Sequence, residues 1–276
     1  MIAAATTIDF FAFADLGRPS IMGVLNVTPD SFSDGGKFLS PAIAIAHAEA
    51  MAKDGADILD VGAESTRPYG GAKPVSAEDE IARLEPVLSD VLRAGPPVSI
   101  DTMKATVARW ALDRGVVMVN DVWGLQRDPD MARVVADYGA FIVVMHNRET
   151  VDPLIDIIAD IENFFTRSLD IAAAAGVASS RIILDPGIGF GKTPAQSIEA
   201  IARLGVLRRF GLPILVGASR KRFIDSVSPA PTSARLAGSL AAHLAAAEAG
   251  AAILRVHDVA ETLQALKVAK AIREAQ

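Results

Sequence analysis

The sequence predicts an α/β fold in which eight parallel strands close into a (β/α)8 TIM barrel, with an active site at the C-terminal mouth of the strands. Three observations predict it. Eight short β-rich runs alternate with longer helix-period segments along the chain. The runs are continuously apolar instead of alternating, as strands buried on both faces are. Eight such units within 276 residues match the usual size of this barrel.

The first run, IMGVLN at 21–26, ends on Asn26 and passes into a polar loop, VTPDSFSDGG. A helical segment follows at 41–54, then the strand DILDVG (57–62) and a helix over 77–93. VSID (98–101) leads to 104–114, VVMVND (116–121) to 129–138, and FIVVMH (141–146) to 154–175. RIILDP (181–186) leads to 195–209, PILVGAS (213–219) to 233–249, and AAILRVHD (251–258) to 259–275. Gly55, Gly115, Gly139, Gly176 and Gly250 stand where helices end, the usual place of a left-handed cap. A doubly wound open sheet is the competing fold, but it usually has fewer strands and a GxGxxG first turn, which this chain lacks. No linker or second domain is visible, so residues 1–276 read as one domain with its core over about 20–275.

Hydrophobic residues make up 51% of the chain and charged residues 22%, ample for a core and unlike a disordered chain. No apolar stretch is long enough to span a bilayer, and the N-terminal segment lacks a basic start and a small-residue cleavage site. With no cysteine there is no disulfide, thiolate ligand or catalytic thiol, and a cytoplasmic location is expected. The net charge of −6, with 27 Lys and Arg spread along the chain, gives no field to attract nucleic acid. Small-molecule substrates are expected, with neither nucleic acid nor membrane as partner.

The ends of the strands carry Asn26, Asp60 with Glu64, Asp101, Asn120 with Asp121, His146, Asp185, Ser219 with Lys221, and Arg255 with His257. Any one of these Asp or Asn residues could cap the following helix. Together they converge on one mouth, where ionisable groups repel or desolvate one another unless a ligand uses them. Asp101, Asn120, Asp185 and Lys221 supply the acceptors, donors and cation that a flat heterocycle with amide-like edges needs. Asp185 could accept two N–H donors from an amino-pyrimidinone edge. Arg255, His257, Asn26 and Arg67 form a second group suited to phosphate, His257 being able to carry a proton there.

Three other readings are weaker. Lys221 could form a Schiff base, but Arg220 and Arg222 flank it and Asp185 would keep it charged. GFGKT (189–193) lacks the first glycine of a P-loop. His146 could bind a metal, yet only four histidines occur, without an HxxxH or HExxH pair, so zinc is not expected.

IMGVLNVTPDSFSDGG, DVGAESTRP, SIDT, NDVWG, DPGIGFGK, GASRKRFI and RVHD resemble, in order and spacing, the motifs of the dihydropteroate synthase family over about residues 20–260. The resemblance implies a TIM barrel and a transferase of folate biosynthesis. Such an enzyme condenses 6-hydroxymethyl-7,8-dihydropterin pyrophosphate with 4-aminobenzoate, giving 7,8-dihydropteroate and pyrophosphate, and is the sulfonamide target. It implies that Asp101, Asn120, Asp185 and Lys221 hold the pterin, with Met145 and Phe190 on its faces and Gly217 in the same pocket. Asn26, Arg67, Arg255 and His257 would hold the pyrophosphate, Asn26 also touching Mg²⁺, and Thr66 would lie beside the substrate. Loops 27–37 and 63–75 would act as lids through Phe32, Asp34, Thr66 and Pro68. Ser219 and Arg222, near the start of the helix after Lys221, would receive the aminobenzoate carboxylate.

The residues implied to be catalytic are Asp185, Lys221, Arg255 and His257, in a dissociative substitution that needs no protein nucleophile. MHNRET (145–150) and RPYGGAKPV (67–75) depart from the family pattern around the pterin and in the second lid. A pterin-dependent methyltransferase and an inactive pterin-binding paralogue are the rivals, and the two loop motifs with Arg255 and His257 argue against both. The Ala-rich helices near 233–275 could pack against a second subunit, and the resemblance implies a homodimer.

Overall fold

In the computed structural model, which describes residues 16–28, 41–65 and 75–275, eight strands run parallel in one sheet. They are β1 (Ser20–Asn26), β2 (Ile58–Gly62), β3 (Val98–Asp101), β4 (Met118–Asp121), β5 (Phe141–Met145), β6 (Ile182–Asp185), β7 (Leu215–Val216) and β8 (Ile253–Val256). Neighbours follow chain order, and β8 pairs with both β7 and β1. A parallel bridge between Leu184 and Ile214 closes the ring, the Leu184 N–H donating to the Pro213 carbonyl at 2.9 Å. Closure rules out the open doubly wound sheet.

The helices on the outside are α1 (Pro41–Lys53), α2 (Ala77–Arg93), α3 (Ala105–Leu112), α4 (Met131–Tyr138), α5 (Ile157–Ala175), α6 (Pro194–Ala202), α7 (Arg222–Val227), α8 (Leu236–Glu248) and α9 (Val259–Glu274). The expected helix over 195–209 divides into α6 and a 3-10 segment, Leu204–Phe210, with Gly205 at the changeover. The expected strand 213–219 shrinks to two residues. Pro213 has no N–H to give a ladder, and beyond Val216 the chain turns to bring Ser219 and Lys221 over the mouth.

Period-2 alternation decides what each strand residue does. Met22, Ile58, Met118, Phe141, Val143, Ile183, Leu215 and Ile253 form one buried cluster inside the ring. Leu59, Val119, Ile142, Leu184 and Leu254, one residue on, join the larger cluster that includes Ala48, Leu84, Ala108, Val135 and Ile161 of the helices. Two residues beyond the inner apolar layer, still facing inward, come Asp60, Asn120, Met145, Asp185, Gly217 and Arg255. The floor is thus apolar and the mouth polar.

The ends of the chain that flank residues 66–74 are anchored by an ion cluster. Lys104, just before α3, pairs with Glu64 and with Glu80 of α2, the latter at 2.7 Å. Glu64 also accepts from the Val75 N–H at 3.1 Å, and Arg83 donates to the Ala63 carbonyl at 2.8 Å. Glu80 is fully buried, and burial pushes its carboxyl up while Lys104 opposes this. Lys104→Met would leave that carboxylate without a counter-charge, so a loss of about 3–5 kcal/mol is expected in urea unfolding. Adding Glu80→Gln should return most of it; an unchanged midpoint in Lys104→Met would contradict the assignment.

Candidate active site

A narrow cleft sits at the C-terminal ends of the strands. Asp101, Asn120, Met145, Asp185, Phe190, Gly217, Lys221 and Arg255 line it, together with Val122 and Ile188. The strand register sets these side chains level: Asp101 stands opposite Asn120, and Met145 opposite Asp185. Gly62, beside Asp101 in the register, leaves room for its carboxylate, since an added Cβ would lie 3.3 Å from the Asp101 Cβ.

Arg255 crosses the floor of this cleft. Its Nε donates to Asp60 Oδ2 at 2.6 Å and its Nη2 to Asp101 Oδ2 at 2.7 Å. Burial alone would lower the guanidinium pKa, but the two carboxylates outweigh it and hold the group charged. Asp60 Oδ2 also accepts from Asn120 Nδ2 at 3.0 Å. A carboxylate can only accept, so this contact commits the amide nitrogen to Asp60 and leaves Asn120 Oδ1 for a ligand. Asn120 Oδ1, Asp101 Oδ1 and Asp60 Oδ1 are all buried without a hydrogen-bond partner. Buried acceptors in that condition call for donors from a ligand.

Asp185 accepts from the Gly187 N–H at 2.7 Å. Burial pushes its carboxyl up, while that N–H and the charges of Lys221, Lys192 and Arg255 pull it back. Asp101 is likewise raised by burial, against Arg255. Lys221 holds its Nζ 4.1 Å from the centroid of the Phe190 ring, a cation–π contact at the rim.

His257 lies beside this group, its Nδ1 2.9 Å from Ser219 Oγ, which also accepts from the His257 backbone N–H at 3.3 Å. Burial, then Arg255 and Arg220, push its imidazole down to about 3. The protonated His257 allowed for by the sequence is therefore not the form in this structure; the ring is neutral and able to donate or accept a hydrogen bond. Ser219, expected near the aminobenzoate carboxylate, has its hydroxyl against His257 in this structure. Arg222 is exposed on α7, and Asn26 is half-buried at the end of β1, opposite Gly62. Phe32, Asp34, Thr66, Arg67 and Pro68 lie outside the described residues.

Three strand-end residues face away from the cleft. Glu64 belongs to the Lys104 cluster. Asp121 caps its own turn, accepting from the N–H groups of Trp123 at 2.9 Å and Leu125 at 2.7 Å. His146 follows the inward Met145 and so turns outward, against Phe164 and Asp160 of α5. Its Nε2 is 2.9 Å from Asp160 Oδ2 and its Nδ1 2.6 Å from Lys192 Nζ. Burial and Lys192 push the ring down to about 4, so it is neutral, with N–H toward Asp160 and lone pair toward Lys192. Both nitrogens being engaged, His146 is no metal ligand. Asp60 and Lys192 are the polar residues that sequence reasoning left without a role in the site. Asp60 was legible as a strand-end carboxylate, whereas Lys192 stood only in a failed P-loop match and as the last residue of the DPGIGFGK motif.

The comparisons agree with this geometry. The model of the pterin binding enzyme family matches residues 22–257. Dihydropteroate synthase of Clostridium beijerinckii is 45% identical over 253 residues, covering 91% of this chain and 93% of that one. A crystal structure of dihydropteroate synthase from Clostridium difficile in the presence of pteroic acid superposes with a TM-score of 0.88 at 47% identity, covering 92% of this chain and 97% of the other. That of Xanthomonas albilineans with 4-aminobenzoic acid also reaches 0.88, at 43% identity and 93% of each chain. With the family match, the shared length and the shared fold, the chain belongs to the pterin-binding enzymes and, within them, to the dihydropteroate synthase family.

Proposed function

We propose that this chain condenses 6-hydroxymethyl-7,8-dihydropterin pyrophosphate with 4-aminobenzoate, releasing pyrophosphate and 7,8-dihydropteroate. One observation carries the assignment of residues: the cleft offers unpartnered buried acceptors, Asn120 Oδ1 and Asp101 Oδ1, beside Asp185 and the cation of Lys221. A pterin presents amino and ring N–H donors along one edge and a carbonyl on the other, which this set complements. Met145, Phe190 and Gly217 supply flat apolar contact for its faces.

Arg255, His257, Asn26 and Arg67 are assigned the pyrophosphate, with Thr66 beside the substrate. The C–O bond to the exocyclic methylene breaks with its electron pair going to the pyrophosphate oxygen. Asp185 stabilises the electron-poor ring, the aminobenzoate nitrogen forms the new C–N bond, and its proton leaves. Ser219 and Arg222 at the rim are assigned the aminobenzoate carboxylate, Ser219 also meeting His257 Nδ1. Phe32, Asp34 and Pro68 complete the aminobenzoate pocket as lids. The contribution of the chain is positioning and charge stabilisation.

A hard cation fits the anion side. Asn26 offers one amide oxygen, and Mg²⁺ commonly binds through one or two protein oxygens, substrate phosphates and water. When bound, Mg²⁺ would neutralise charge on the leaving pyrophosphate. The same reading keeps the chain, one barrel domain, in the cytoplasm. It also makes the chain a homodimer: α8 and α9 carry an exposed apolar groove of Leu240, Leu244, Val268 and Ile272, with Val268 54% and Ile272 61% exposed. Among the described residues, no helix is long and apolar enough to cross a membrane.

Calorimetric titration with 6-hydroxymethylpterin tests the pocket. Burial has raised Asp101 to about 7 and Asp185 to about 6, from an ordinary 3.8. Pterin N–H groups favour the ionised carboxylates, so affinity should rise with pH through this range and then flatten, with protons released on binding. The stability of the free protein runs the other way. Carboxyls raised in the fold bind more protons than in the unfolded chain, so that contribution is lost as pH rises from the ordinary carboxylate range toward 7. Pterin affinity independent of pH between 5.5 and 8 would contradict the assignment of these two groups (roughly the span of the two raised values).

A further inference from the structure

The β6–α6 loop, residues 186–192, carries Ile188 and Phe190 into the cleft and is pinned at both ends. Asp185 takes the Gly187 N–H at one end. A capping box at the other starts α6, Thr193 and Gln196 exchanging hydrogen bonds of 2.9 and 3.1 Å. Gly187 has a φ of +65°, and a Cβ there would fall 1.9 Å from the His146 carbonyl, so the loop lies directly on the end of β5. Between these pins the loop folds around one side chain. Lys192 is 1% exposed, and its Nζ donates to the carbonyls of Gly187 at 2.9 Å and Phe190 at 3.1 Å and meets His146 Nδ1 at 2.6 Å. His146 is held in turn by Asp160, which Arg148 pairs at 2.8 Å.

We propose that Lys192, held by the His146–Asp160–Arg148 chain, is a positioning residue for the pterin site, fixing the loop that presents the Phe190 ring to the substrate. It touches no substrate; it acts through the carbonyl of Phe190 and through Gly187, whose N–H fixes Asp185. A lysine suits the place because an ammonium has three donors for three inward-pointing acceptors, whereas methionine has none and an arginine fork does not fit a point. Burying an ammonium is costly, and the burial pulls Lys192 down to about 7. Packing alone would be served better by an apolar side chain. The inference rests on the pterin reading above.

The test is equilibrium binding of 6-hydroxymethylpterin in a double-mutant cycle of Lys192→Met and Phe190→Ala. Lys192→Met should weaken binding about tenfold in the parent chain and only about threefold in the Phe190→Ala background, where the Gly187–Asp185 route alone remains, the signature of action partly through that ring. Asp160→Ala, a substitution at a partly exposed helix position remote from the cleft, should weaken binding about threefold and keeps the test open if Lys192→Met does not fold. Unchanged affinity in Lys192→Met or in Asp160→Ala, or equal losses with and without the Phe190 ring, would overturn the inference. Failure of the parent protein to bind pterin would instead overturn the functional reading and this inference with it.

Discussion

Replacing Arg255 by methionine will lower kcat/KM for the pterin pyrophosphate by roughly 10²–10³-fold, the usual loss when a group aimed at developing charge is removed. It will also weaken the fold. Asp60 is fully buried and Asp101 nearly so, and Arg255 is the cation both accept from. Removing it strands two carboxylates in the barrel, an expected cost of about 3–5 kcal/mol. Adding Asp60→Asn separates the two effects. The double variant should recover much of its urea midpoint, because an amide needs no counter-charge, while activity stays low. Recovery of activity along with stability would mean that Arg255 serves the fold alone.

Lys221→Ala should produce the next largest effect, with little change in stability because the side chain is partly exposed at the rim. Loss of a charged donor toward the pterin predicts an affinity lower by roughly 10–100-fold. A second consequence follows from Asp185. Lys221 is one of the charges holding that carboxyl down, so its removal lets burial raise Asp185 further. The acid limb of pterin binding should therefore move to higher pH in Lys221→Ala. A weaker affinity with an unmoved limb would place Lys221 away from Asp185 and assign it to the rim only.

Most of the barrel was legible because both faces of each strand are apolar and several helices end at or just before a glycine. Gly139 and Gly176 do form left-handed caps. The site was legible because residues that are poor core material, such as Asp101, Asn120, Asp185 and Arg255, end strands that are otherwise buried. What the sequence could not show is which of two adjacent polar residues faces inward. Asn120 and Asp121 are neighbours of similar size, yet one lines the cleft and the other caps a turn outside it. Met145 and His146 divide the same way, so the MHNRET departure places His146 and Arg148 on Asp160 behind the pocket rather than in it. A strand buried on both faces has no hydrophobic alternation to fix that phase; only the pairing register does.

Charge state was equally hidden. His257 reads as a cation when set beside a phosphate, but burial and the neighbouring Arg255 and Arg220 keep it neutral in the free protein. Arg255 reads as an anion-binding residue alone, but the fold also makes it the counter-charge of Asp60 and Asp101. On the proposed reading it therefore joins the heterocycle side of the mouth to the phosphate side. That coupling depends on contacts between β8, β2 and β3, which are far apart in sequence and adjacent only once the ring has closed.

The most direct measurement is pyrophosphate release from 6-hydroxymethyl-7,8-dihydropterin pyrophosphate with Mg²⁺, followed with and without 4-aminobenzoate alongside dihydropteroate formation. Release that matches product one for one, and that collapses in Lys221→Ala, is the expected result. Tight pterin binding with neither product nor pyrophosphate would contradict it, and would make this mouth a binding site that no longer catalyses.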